Sequence, residues 1–292
     1  MPGPDKRCSS VFHPHFGSRN PNRSTKASAI VNSTSRFVLD GHAWRWKGIG
    51  HESQGTPGCR PRRVSAWGAL MAPPVVLIHG FATSTERTWR EPGWFDLLKD
   101  ARRRAIGIDL LGHGDAPKPT DPEAYDDLVT PVLEKFPNAP ADVIGYSLGA
   151  HTALGIAMSH PERVNRLVLA AIGRNVVDFG DSTPLEGNVV EGNVEARFEA
   201  LIAAPGNDPA ALRACLTRER RPFTVEQLGT VQAPCLIVVG SEDFSGPPEP
   251  LADALPDAAV KILPGIDHFG LPKQFGFIDA ALEFIDAVPQ WD

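Results

Sequence analysis

The chain has 292 residues, 42% of them hydrophobic, and a formal net charge of −6, so it can build one substantial core and requires no second domain. The charge is unevenly spread: residues 1–70 carry 11 Lys and Arg against 3 Asp and Glu, and the remainder carries 18 against 32. An acidic body of this kind argues against nucleic acid or an anionic membrane surface as the main partner.

Residues 1–35 are rich in Ser, Pro, Asn and Arg, with no hydrophobic period and few large apolar side chains. That composition is expected to be disordered. One reading is a transit-like segment, Arg- and Ser-rich and poor in acid. The preferred reading is that translation starts later, at Met71, which leaves a compact body of residues 71–292 behind a basic extension of residues 1–70. Arg62-Arg63 superficially resembles a twin-arginine export signal, but cleavage after it would remove the first core strand. Within the extension, residues 37–46 are a candidate β-hairpin, with Asp40-Gly41 between apolar runs as the turn signal.

From Pro74 onward short apolar runs alternate with amphipathic segments. Strands are expected at 74–78, 104–109, 141–145, 166–171, 235–239 and 259–263, and helices at about 93–102, 122–135, 148–159, 248–255 and 274–287. This alternation predicts an α/β fold: a doubly wound, mostly parallel sheet covered on both faces, with its site at the carboxyl ends of the strands. The alternation lapses between about 173 and 232, where 194–204 and 209–217 read as helices, the second with Asp208 as N-cap and Pro209 at N1. That insertion is expected to form a small helical cap. No apolar run approaches the ~20 residues that span a bilayer. The four cysteines, Cys8, Cys59, Cys215 and Cys235, are too widely spaced for a zinc pattern and read as reduced thiols of a cytoplasmic protein.

One serine stands out. Asp142-Val143-Ile144-Gly145-Tyr146-Ser147-Leu148-Gly149-Ala150 puts Ser147 where a buried strand turns into a helix, with glycine two residues away on each side. A serine at so tight a corner needs strained backbone angles and small neighbours, and gains an exposed Oγ at the positive end of a helix dipole. The string alone is weak evidence, because G-x-S-x-G arises by chance. Further pieces fall in order around it: His79-Gly80-Phe81, Asp109-Leu110-Leu111-Gly112-His113-Gly114, Gly240-Ser241-Glu242-Asp243 and Asp267-His268-Phe269.

In these motifs, from about Pro73 to the C-terminus, the chain resembles the α/β-hydrolase fold family, of the serine-nucleophile, small-cap type. The resemblance implies Ser147 as nucleophile, His268 as general base and later acid, and Asp243 as the carboxylate that orients the histidine. Glu242 competes with Asp243 for that role; the family spacing favours Asp243. The resemblance also implies an oxyanion hole from the backbone N–H groups of Phe81 and Leu148. His79 and His113 are expected to brace loops, and Asp267 to be structural. No pair of histidines has the H-x-x-x-H spacing of a metal site, and neither metal nor cofactor is expected.

The implied activity is hydrolysis of a small ester, lactone or thioester through an acyl-enzyme. A slow-turnover ligand sensor, a carbon–carbon bond hydrolase and a cofactor-free perhydrolase stay open on the same motifs. Trp89, Trp94, Phe179 and Phe198 either line an apolar pocket or pack the core. The cap segment carries Asp178, Asp181, Glu186, Glu191, Glu195 and Glu199, from which a strongly anionic substrate is expected to be poorly steered. The partner expected is a small-molecule substrate; the sequence does not fix an oligomeric state.

Overall fold

The structure is a computed structural model that describes residues 72–177 and 191–289, the first three of the latter as backbone, together with the backbone of 36–40 and 43–47. The expectations for residues 1–35, Met71, Cys8, Cys59 and Phe179 lie outside the described residues. Within residues 1–63, which form a unit of their own, strands β1 (Arg36–Asp40) and β2 (Ala43–Lys47) pair antiparallel, Asp40 opposite Ala43.

The second unit is a six-stranded parallel sheet with helices on both faces. Its elements run β3 (Val75–Ile78), α1 (Trp94–Asp100), β4 (Ala105–Ile108), α2 (Val129–Leu133), β5 (Ala141–Tyr146) and α3 (Leu148–Ser159). They continue with β6 (Val164–Ala170), α4 (Glu191–Ile202), α5 (Pro209–Thr217), α6 (Val225–Leu228), β7 (Cys235–Glu242), α7 (Glu249–Ala254), β8 (Ala258–Asp267) and α8 (Phe275–Phe284). The spatial order is β4-β3-β5-β6-β7-β8. Val75–Ile78 pairs with Ala105–Ile108 on one side and with Asp142–Gly145 on the other. The order of strands therefore reverses between β3 and β5. In open α/β sheets ligands bind at the carboxyl ends of the strands at such a reversal.

The central strands β3 and β5 are buried along their whole length, which is why they read as continuous apolar runs rather than alternating ones. On one face α3 packs with Val76, Ile78, Val143 and Leu169. On the other, α1 and α8 bury Trp94, Leu98 and Phe277 against Leu77, Ile144 and Val168. Trp89 and Trp94 pack edge to face at 5.2 Å in that layer and are fully buried; both belong to the core.

Beneath the sheet, the buried Arg103 pairs with the buried Asp142. Its Nη1 also donates to the Ile285 carbonyl at 2.6 Å and its Nε to that of Pro73 at 3.0 Å, while Asn165 Nδ2 donates to Asp142 Oδ1 at 2.7 Å. One guanidinium thus gathers the starts of β3 and β5 and the end of α8.

Several boundaries differ from those expected. The single helix expected over 122–135 is a 3₁₀ turn, Pro122–Tyr125, followed by the short α2. Asp127 Oδ1 accepts the N–H groups of Val129 and Thr130 at 2.8 and 3.0 Å, which starts a new helix. Strand β8 extends past residue 263 to Asp267 because the edge pairing resumes, Glu242 opposite Asp267, after a register shift. Helices α4, α5 and α6 lie between β6 and β7. Among the described residues no helix is long and apolar enough to cross a membrane.

Candidate active site

Ser147 sits at the corner between β5 and α3 with φ 53° and ψ −113°. A positive φ is costly for a residue bearing a Cβ and persists only where the surroundings over-determine it. The flanking glycines supply that constraint. A Cβ on Gly149 would stand 2.2 Å from the Ile78 carbonyl oxygen, and one on Gly145 would stand 2.6 Å from the backbone of Ala150. Helix α3 therefore seats directly against the ends of β3 and β5, and the serine is lifted out of the turn. The Ser147 N–H is held by the Ala170 carbonyl at 2.8 Å.

His268 follows β8 and Asp243 follows β7, so the two strands on the far side of β6 deliver them to the same edge. Ser147 Oγ lies 2.9 Å from His268 Nε2, and His268 Nδ1 lies 2.8 Å from Asp243 Oδ1. All three sequence-derived side chains are brought together. His268 is 4% exposed and Asp243 1%, so the line of hydrogen bonds runs inward from the serine and is shielded from water. Asp243 Oδ1 also accepts the Ser245 N–H at 2.8 Å. Glu242, one residue earlier, is exposed. Asp267 is engaged elsewhere: it pairs with Arg197 and accepts the Gly270 N–H at 2.7 Å.

Phe81 and Leu148 line the hollow in front of Ser147. Leu148 is the first residue of α3, where an N–H has no acceptor within its own helix. The loop bearing Phe81 is braced by the fully buried His79, whose Nδ1 donates to the Gly80 carbonyl at 2.7 Å while Nε2 accepts the Leu110 N–H at 3.1 Å. Burial holds His79 below its ordinary pKa against the opposing pull of Gly80 and Asp109. Burial pushes His113 down to about 3, with the neighbouring His79 ring adding to the effect. Both rings stay neutral at ordinary pH, as loop braces require.

Two hollows flank the Ser147–His268 contact and share Phe81 and Phe198. One, of about 310 Å³, extends towards Leu148, His151, Val176 and Phe244. The other, of about 290 Å³, extends towards Thr83, Thr88, Tyr146 and Phe269. Open space thus lies on either side of the Ser147–His268 contact. Among the described residues no group of three or more His, Cys, Asp or Glu is placed to hold a metal ion.

The family model for the alpha/beta hydrolase fold matches residues 73–212. A pimeloyl-[acyl-carrier protein] methyl ester esterase from Neisseria meningitidis is 30% identical over 208 residues, which span 60% of this chain and 77% of that protein. The chain belongs to the α/β-hydrolase fold family. A second relative, the "Probable lysophospholipase BODYGUARD 2" of Arabidopsis thaliana, is 36% identical over 105 residues; the match spans 33% of this chain and about a fifth (22%) of that protein. Among solved structures, a serine hydrolase involved in carbazole degradation is 25% identical with a TM-score of 0.57, covering 74% of this chain and 92% of that one.

Family motifs marked the residues at the strand ends; the residues that hold them in place were not marked. Tyr146 Oη donates to the His268 carbonyl at 2.9 Å, and the Phe244 ring lies 4.1 Å from the His268 ring, 32° off parallel. Both neighbour a motif residue in the chain, Tyr146 before the serine and Phe244 after the aspartate. Arg197 from α4 reaches Asp267 and lies 4.0 Å over the Phe269 ring, tying the segment between β6 and β7 to the histidine loop. That contact joins residues 70 apart and left no local signal.

Proposed function

We propose that the protein is a serine hydrolase that cleaves a small ester, lactone or thioester through an acyl-enzyme on Ser147. The observation that carries this reading is the buried line Ser147 Oγ···Nε2 His268 Nδ1···Oδ1 Asp243, at 2.9 and 2.8 Å. In the first step Oγ bonds to the carbonyl carbon as its proton passes to His268 Nε2. Asp243 holds the Nδ1–H tautomer and stabilises the imidazolium. The oxyanion is taken by the N–H groups of Phe81 and Leu148. The carbon–oxygen or carbon–sulfur bond then breaks, the His268 proton leaves with the alcohol or thiol, and water repeats the sequence to free the acid.

The ester class is supported by the name of the Neisseria relative, and by two hollows sized for small substituents on either side of the serine. A cytoplasmic setting is our reading of the free, buried thiols of Cys215 and Cys235. A fluorophosphonate followed by mass spectrometry tests the chemistry: one adduct on Ser147 is expected, lost in Ser147→Ala and in unfolded protein. Repeated turnover of p-nitrophenyl hexanoate is expected alongside. Absence of the adduct in folded protein overturns the reading; an adduct with a single turnover on every ester would instead mark a ligand sensor.

A further inference from the structure

The larger of the two hollows has an unexpected charge. Its described lining includes Arg218 and Arg220 and no carboxylate. Arg218 follows the last turn of α5, where its Nη1 donates to the Cys215 carbonyl at 2.5 Å. That bond fixes one edge of the guanidinium on the helix end. No carboxylate lies within ion-pair distance of it among the described residues, and its hydrogen bonds are those that Nη1 makes to Cys215. Its remaining donors are available to whatever enters.

The neighbouring residues sort the same way. Glu219 and Arg221 do not line this hollow; they pair with each other at the surface, at 2.8 Å, and are 68% and 81% exposed. His151, on the α3 side, stacks on Phe223 at 4.4 Å. Burial, and then the fields of Arg218 and Arg220, hold its pKa down at about 4. Countercharge lies in the adjoining groove, lined by Asp126, Asp127 and Glu219 as well as by these arginines. Asp127 is engaged at the start of α2 and Glu219 with Arg221, leaving Asp126 as the carboxylate whose field reaches Arg218. The acidic residues that argued against an anionic substrate are placed elsewhere where they are described: Glu195 is exposed, and Glu199 pairs with Arg213 at 2.8 Å.

We propose that the substrate of this site carries an oxyanion, a carboxylate or a phosphate, on the half that occupies the hollow beside Leu148 and Val176, and that Arg218 binds it. This rests on the acyl-enzyme reading and narrows it. Guanidinium groups suit both anions because their parallel donors match two oxygens at once. The surrounding walls, Leu148, Ile172, Val176 and Phe244, suit a short apolar spacer between that anion and the scissile carbonyl.

The test compares matched esters in the full-length protein. The acyl series pairs p-nitrophenyl hexanoate with mono-p-nitrophenyl adipate. The leaving-group series pairs phenyl acetate with its 4-carboxy and 4-phosphono derivatives. In at least one series, the anionic-to-neutral ratio of kcat/KM is expected to fall by roughly tenfold to a hundredfold in R218Q, the range of one charge-assisted hydrogen bond. R218K is expected to recover part of it, and R166Q, a charge change at the Arg166–Asp286 pair, to leave it unaltered. Which anion shows the larger fall decides between carboxylate and phosphate. A second readout does not need turnover: the Tm rise given by adipate or phenylphosphonate is expected to survive in S147A and vanish in R218Q. A ratio that stays constant in every series, with no arginine-dependent Tm rise, overturns the proposal. Anion-dependent Tm shifts without ester turnover would leave the anion site standing and sink the hydrolase reading instead.

Discussion

Tyr146 Oη donates to the carbonyl oxygen of His268 at 2.9 Å, so the residue before the nucleophile holds the backbone of the residue that faces it. Burial, and then the fields of Asp243 and Asp267, push the phenol well above its ordinary range, and it remains a donor at any working pH. Without it the His268 carbonyl would be buried unsatisfied, which typically costs ~1–3 kcal/mol. Tyr146→Phe is therefore expected to lower stability by about that amount in urea unfolding. Because the imidazole is then less firmly placed, kcat is expected to drop more than KM rises. An unaltered kcat with an unaltered Tm would show that the bond does not position the histidine.

The two adjacent carboxylates after β7 separate cleanly. Asp243 is buried at 2.8 Å from His268 Nδ1, while Glu242 is exposed. Replacing the orienting aspartate of such a line by asparagine favours the wrong histidine tautomer, and in the serine-protease template costs about 10⁴ in kcat. A loss of that order is expected for Asp243→Asn, with ester KM little altered. Glu242→Gln is expected to stay within about threefold of the parent. Steady-state kinetics of both variants on one aryl ester checks this; comparable losses would mean that Glu242 can substitute.

Three histidines make acid stability informative. His79, His113 and His151 are all held below their ordinary pKa, chiefly by burial, His113 to about 3 and His151 to about 4. Each binds a proton more readily in the unfolded chain. Their contribution is therefore complete above the unfolded value of about 6.5 and is lost as pH falls towards the folded values. Asp109, Asp127 and Asp267 have lowered values, so their contribution is lost only below about 4. Between pH 6.5 and 4 the histidines thus set the slope. Urea unfolding is expected to show stability falling through that window, more shallowly in His113→Gln. A flat profile would contradict buried neutral rings.

How much of this could be read from the sequence depends on whether the chain itself carried the signal. The strands β3, β5 and β7 were legible because burial on both faces requires continuous apolar runs. Ser147 was legible because its strained corner demands Gly145 and Gly149, and that demand is a local pattern. Helix 122–135 was misread because Asp127 offers a side-chain cap inside a segment of helical composition, and propensity does not reveal which turn a cap will claim. Arg218 and Arg220 were invisible as site residues for another reason. Their placement beside the serine follows from where α5 ends, and the sequence reading weighed only the carboxylates of the insertion. The long-range ties, Tyr146 to His268 and Arg197 to Asp267, exist only once β5, β8 and α4 are assembled.

The pair beneath the sheet gives the last prediction. Arg103 and Asp142 are 3% and 1% exposed, and the guanidinium also serves the carbonyls of Pro73 and Ile285. Removing one member of a buried pair leaves the other charge uncompensated and typically costs ~3–5 kcal/mol. Asp142→Ala is expected to lose stability in that range, and more than an Asn165→Ala change, which removes only a hydrogen bond to Asp142 Oδ1. Replacing both, as Arg103→Met with Asp142→Leu, is expected to recover much of the loss, because an apolar pair carries no desolvation cost. Recovery is expected to be incomplete, since the Pro73 and Ile285 carbonyls would lose their donor. Urea denaturation of the single and double variants gives the coupling directly. Strictly additive losses would show that Arg103 acts through the two carbonyls and that its charge partner contributes little.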